Sequence, residues 1–296
     1  MSNPSDSNTK PDFDSWWDFD HPEQTEAKFR ALLPKAKATG DTAYYAELLT
    51  QLARTLGLQQ KFDSAHAVLD NVKAILPVAG DKTHVRYLLE RGRALNSSKK
   101  QAESEPLFHE AWERATSAKL DFYAVDALHM LAIVAPVEKK MDWNRQALAV
   151  AEKSSEPKAR NWLGSLYNNM GWTLFEQKAY DSALDLFTRG VTFRKEHGQP
   201  GPLRIAKWCV AKTYRMLGHF DEALDIQLAL ETEWAEVGAP DGYVFEELAE
   251  IYLVKGDAET AKPWFAKAYE ALSKDQWLSR DEPERLARLK ELGGIK

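Results

Sequence analysis

One arrangement of small, large apolar and polar positions recurs six times along the chain. A small residue sits within one predicted helix, and about a dozen residues later comes an Ala-rich predicted helix carrying a large apolar side chain. The small positions are Ala53, Gly92, Ala132, Gly171, Ala211 and Ala249, separated by 39, 40, 39, 40 and 38 residues. Twelve residues after each come Ala65, Ser104, Asn144, Ala183, Ala223 and Ala261; sixteen after come Leu69, Phe108, Leu148, Phe187, Gln227 and Phe265. Two antiparallel helices approach to about 8–10 Å only where small side chains meet, and a large knob must then fill the space beside the crossing. The pattern therefore predicts six helix pairs. Asn144 and Gln227 are the positions where a polar side chain stands in for the small or large apolar one.

Between pairs, PVAGDKT, SSEPKA, HGQPGPL and VGAPDG carry the Pro and Gly that end helices, and they predict loops. Pro136 is expected to interrupt the third pair near the end of its first helix. Outside the array, Glu23–Ala38 reads as a solitary helix and Glu282–Leu292 as a C-terminal cap, since the ends of a stacked array need polar covers. The organisation expected is an N-terminal segment over 1–20, a helix within 21–42, a repeat array over 43–272 and a capping helix within 273–296. Residues 1–12 read as disordered. The Trp16, Trp17 and Phe19 side chains in DFDSWWDFD are expected to dock on the first helices, the alternative being a mobile motif that binds a partner or the chain's own groove.

The segments Tyr167–Gly190, Lys207–Leu230 and Phe245–Ala268 resemble the tetratricopeptide repeat family. The family's order of large residue, Leu-Gly pair, Tyr, turn Gly, aromatic, Ala, Phe and Ala falls, in the fifth unit, on Lys207, Val210 with Ala211, Tyr214, Gly218, Phe220, Ala223, Gln227 and Leu230. In the sixth it falls on Phe245, Leu248 with Ala249, Tyr252, Gly256, Ala258, Ala261, Phe265 and Ala268; in the fourth, Lys178 occupies the turn Gly position. The second and third units depart furthest, Arg91 replacing the Leu beside Gly92. The resemblance implies an all-α, right-handed superhelical solenoid of about six antiparallel helix pairs, with longer loops accounting for the excess over the family's repeat of about 34 residues.

Composition and charge narrow the function. The net charge of -6 gives no general positive field for nucleic acid or an anionic membrane, no apolar run approaches membrane-spanning length, and MSNPSDSNTKPDFD lacks the pattern of a secretory signal. One cysteine, Cys209, suits a reducing compartment, so a cytoplasmic protein is expected. The seven histidines show no zinc-protease spacing, HGQPGP is followed by no Lys-Ser pair, there is no GxSxG elbow, and Cys209 reads as a buried inert thiol. No catalytic group, cofactor or metal is expected; self-association remains open.

The resemblance further implies that the first helix of each pair lines a groove, offering residues six, three and two before the small position and one, four and five after it. These are Arg86, Leu89, Glu90, Arg93 and Asn96 in the second unit; Asp126, His129, Met130 and Ile133 in the third; Asn168, Asn169, Trp172 and Phe175 in the fourth. The fifth offers Trp208, Lys212, Arg215 and Met216, and the sixth Tyr243, Glu246, Glu247 and Glu250. Asn168 and Asn169 could hold a peptide backbone, because a carboxamide both donates and accepts, and Trp172 could anchor an apolar side chain. The charges suggest a groove running from cationic to anionic. A chaperone carboxylate clamp is disfavoured, since Thr50, Arg54, Glu90, Asp126 and Met130 at its positions include two acids. The function expected is a scaffold or adaptor for a protein or peptide, the alternative being a peptide-responsive regulator of a signalling or transcription protein.

Overall fold

A computed structural model describes residues 12–296, so the expected disorder of residues 1–12 lies, except for Asp12, outside the described residues. The chain is an all-α repeat protein, and it divides into two compact units, one ending at Trp162 and one comprising Leu163–Lys296.

In the first unit a 3-10 turn, Phe13–Trp16, precedes α1 (Pro22–Ala38), α2 (Thr42–Leu58), α3 (Phe62–Ser97), α4 (Gln101–Ser117), α5 (Asp121–Val134), α6 (Val137–Lys153) and the short α7 (Pro157–Arg160). The N-terminal aromatics pack on α1 and α2: Phe13 is buried, stacked on Tyr44 and edge-on to Phe29, and Trp16 lies parallel to Phe29. Phe19 stacks on Trp17 but remains 59% exposed. The loop expected at PVAGDKT is absent. Helix α3 runs from the second helix of one pair into the first of the next, broken only at Gly80, whose φ of 78° and ψ of 169° turn the chain within one residue. Pro136 does cut the first helix of the third pair short: α5 ends at Val134, two residues after Ala132, and Pro136 is the extended residue before α6, in a turn too short to contain a left-handed residue.

The second unit holds α8 (Leu163–Glu176), α9 (Tyr180–Glu196), α10 (Pro200–Leu217), α11 (Phe220–Glu236), α12 (Gly242–Val254), α13 (Ala258–Leu272), α14 (Gln276–Asp281) and α15 (Pro283–Leu292). Asp241 and Asp257 cap α12 and α13, each carboxylate accepting from main-chain N–H groups of the first turn.

All six small positions are buried at the crossings. A Cβ on Gly92 would stand 2.5 Å from the Phe108 ring, and one on Gly171 would stand 2.5 Å from the Phe187 ring. Where the crossing carries Ala at 53, 132 and 211, the facing register holds the narrower Leu69, Leu148 and Gln227; Ala249 with Phe265 is the exception. Gln227 is fully buried with neither side-chain polar atom bonded.

Seven residues after the small position, five of the six pairs place a left-handed residue in the turn: Gln60, Lys99, Lys178, Gly218 and Gly256, with φ of 60°, 65°, 61°, 84° and 85°. Only the last two have no Cβ to strain that backbone, for which a side chain costs about 1–2 kcal/mol. Substituting Lys178→Gly is therefore expected to raise stability by about 0.5–1 kcal/mol, after the greater freedom of Gly in the unfolded chain is subtracted. A urea midpoint that stays the same or falls would contradict this.

Candidate functional site

In the first unit the residues proposed for the groove form a chain of ion pairs across successive first helices. Arg54 on α2 donates to Glu90 at 3.3 Å, Arg93 donates to Glu90 at 2.6 Å, and Arg93 also bonds Asp126 on α5. Arg86 donates to the Tyr123 hydroxyl at 2.7 Å, its guanidinium lying over that ring. At one end Arg54 lies over the rings of Trp17 and Phe19, while the Trp17 indole donates to Gln51 at 2.9 Å. At the other end the His129 ring packs 5.0 Å from Trp162. Of the positions that a carboxylate clamp would use, Arg54, Glu90 and Asp126 are thus committed to this ladder.

Burial, aided by the charges of Arg93 and Arg54 and opposed by Asp126, pushes the His129 pKa down to about 4. The unfolded chain takes up that proton near pH 6.5, before the folded chain does. Stability from neutral His129 is therefore whole above pH 6.5 and drains away toward pH 4, by about 3 kcal/mol. A His129→Gln variant should show a flatter dependence of urea midpoint on pH over that interval; a slope equal to wild type would refute the assignment.

In the second unit the first helices α8, α10 and α12 bring together an aromatic rail. Trp172 lies 5.1 Å from Phe175 and 6.0 Å from Trp208, and Trp208 lies 6.1 Å from Tyr243, all four half-buried. The Trp208 indole N–H donates to the Tyr243 carbonyl at 3.1 Å, fixing its ring between helices. Asn168 and Asn169 lie beside the rail on α8. Beneath them the buried Cys209 thiol donates to Asn168 Oδ1 at 3.5 Å, and burial pushes its pKa up to about 12, far from a nucleophile's range.

The charged residues of this wall are paired. Glu247, 1% exposed, accepts from Lys212 at 2.5 Å and from Arg215 at 2.7 and 3.1 Å. Burial opposes its ionisation, yet the Lys212 and Arg215 charges hold its carboxyl below the ordinary value. Glu246 accepts from Arg285 at 2.9 Å, and Glu250 accepts from Arg288 at 3.2 Å. The gradient from cation to anion expected from the sequence is thus replaced by neighbouring pairs. Sequence reasoning missed Arg285 and Arg288, although they follow Glu246 and Glu250 by 39 and 38 residues, the repeat interval itself. That spacing marks α15 as a further first helix.

A separate apolar cavity of about 410 Å³ opens on another face of α10, lined by Val191, Val210, Tyr214 and Ile226. Among the described residues no group of three or more His, Cys, Asp or Glu side chains is placed to hold a metal, and no helix is long and apolar enough to cross a membrane.

Residues 163–197, the pair α8–α9, match the tetratricopeptide repeat family. No curated protein matches the sequence. Among solved structures, the apo form of RapI superposes with a TM-score of 0.69 at 12% identity, over 96% of this chain and 80% of its own. The apo form of the quorum sensor NprR from B. thuringiensis does so with a TM-score of 0.63 at 14% identity, over 95% and 79%. A tetratricopeptide repeat protein from Parabacteroides merdae gives 0.55 at 16% identity, over 95% and 97%. At such identities the likeness is one of fold. The chain has a tetratricopeptide-like helical repeat fold.

Proposed function

We propose that the chain is a non-catalytic scaffold that holds a peptide or an extended segment of another protein against the first-helix face of its second unit. The observation that carries this reading is the aromatic rail, Trp172, Trp208 and Tyr243, with Asn168 and Asn169 beside it. Half-buried Trp and Tyr rings held by their neighbours supply contact area at little cost in side-chain freedom, which is why such residues dominate binding energy at interfaces. Carboxamides add main-chain hydrogen bonds without demanding particular partner side chains. A cytoplasmic setting suits the lone reduced thiol.

The test uses linear peptides selected from a displayed library of random 12-residue sequences against the full chain. Trp172→Ala is expected to weaken the best binder at least tenfold, about 1.4 kcal/mol or more. If Trp172→Ala and Trp208→Ala each leave affinity unchanged while circular dichroism shows the fold intact, the site is wrong.

A further inference from the structure

Resting on that site, we infer that the segment it takes is uncharged along the rail: an extended apolar peptide, gripped by ring contacts and main-chain hydrogen bonds and indifferent to ionic strength. Four cations of the wall, Lys212, Arg215, Arg285 and Arg288, meet four carboxylates, Glu246, Glu247, Glu250 and Glu282, within hydrogen-bond reach. The pairs are bidentate or shared, with guanidinium forks on carboxylates, the strongest form of such contacts. A charged side chain laid beside them would shed its hydration and find its counter-charge already engaged, a loss that a partly buried setting does not return. An apolar or aromatic side chain meets no such cost. It finds the rings of Trp172, Trp208 and Tyr243 at spacings of about 6 Å, a step comparable to the two-residue rise of an extended chain, about 6.6 Å.

Cys209 adds the polar half of the specificity. Its thiol hydrogen goes to Asn168 Oδ1. With that oxygen engaged from below and one amide hydrogen directed at Asn169 Oδ1, Asn168 has its second amide N–H to offer. That N–H suits a carbonyl group of a peptide main chain.

The experiment measures the anisotropy of the best library-selected peptide, fluorescently labelled, with the full chain at 50 and 500 mM NaCl, alongside Trp172→Ala and Glu250→Gln. The result expected is a Kd that changes less than threefold across the salt range, because only exposed charge–charge attraction is screened over these distances. Glu250→Gln releases the Arg288 charge and should turn repeated selections toward acidic peptides whose binding weakens with salt. A wild-type binder that is lost on Trp172→Ala but weakens tenfold or more with salt overturns this inference while leaving the site standing. A binder untouched by Trp172→Ala, or a library that yields none, overturns both.

Discussion

Removing the Glu247 carboxylate is expected to be the most damaging single change in the second unit, with Glu247→Ala costing about 3 kcal/mol or more. The carboxylate is 1% exposed and accepts three charge-assisted hydrogen bonds, so its loss strands Lys212 and Arg215 in a wall built to neutralise them. Breaking a buried pair from one side typically costs about 3–5 kcal/mol, and the lower end applies because both cations retain some contact with water. The effect is also pH-dependent. Glu247 has a folded pKa below its ordinary 4.5, so its contribution is complete above that value and is lost as pH falls through the lowered folded pKa. The gap in urea midpoint between wild type and Glu247→Gln should therefore hold from pH 7 to about 5 and close only in more acid solution. A gap already closing at pH 6 would assign the stability elsewhere.

A second large effect is expected at the α8–α9 crossing. Gly171→Val puts three carbons into space already filled by the Phe187 ring, which is fully buried and has no room to retreat, so a loss of about 3 kcal/mol is predicted. Gly171→Ala should cost less, because the clash is smaller and Ala gains about 1 kcal/mol over Gly in helix propensity. The sharper test is the double variant. Phe187→Leu alone opens a void and destabilises, but combined with Gly171→Ala it reproduces the Ala and Leu found at 53 and 69 and at 132 and 148. A double-mutant cycle should give a favourable coupling of about 1 kcal/mol or more. Simple additivity would mean that ring and crossing do not compete for the same space.

These two sites also show what the residue pattern made legible. The repeat of small positions, with Ala or a knob at fixed offsets, located every crossing, because close approach of two backbones leaves few residue choices at the point of contact. The helix boundaries at HGQPGPL and VGAPDG were legible for the same kind of reason, since the left-handed Gly198 and Gly238 stand where α9 and α11 stop and Pro200 opens α10, although Gly201 to Leu203, expected in the loop, belong to that helix. PVAGDKT misled because a single left-handed Gly80 suffices to turn the chain, and Pro77 is tolerated in the helix before it. The aromatic rail was legible as separate residues, Trp172, Trp208 and Tyr243, one to each first helix. The ladder of ion pairs was not, because a list of charges along one face does not say whether each charge meets solvent or a neighbour one repeat away. The spacing of Glu246 to Arg285 and of Glu250 to Arg288 holds that information, but Glu282–Leu292 is short and polar and reads as a cap, not as a further first helix.

The central claim is that partners lie on the first helices of the second unit. Hydrogen–deuterium exchange of the full chain, with and without a saturating library-selected peptide, tests it most directly. New protection confined to α8, α10 and α12, strongest around Trp172 and Trp208, is the result predicted. Protection appearing instead on α9 and α11, around the cavity lined by Val191 and Ile226, would contradict it.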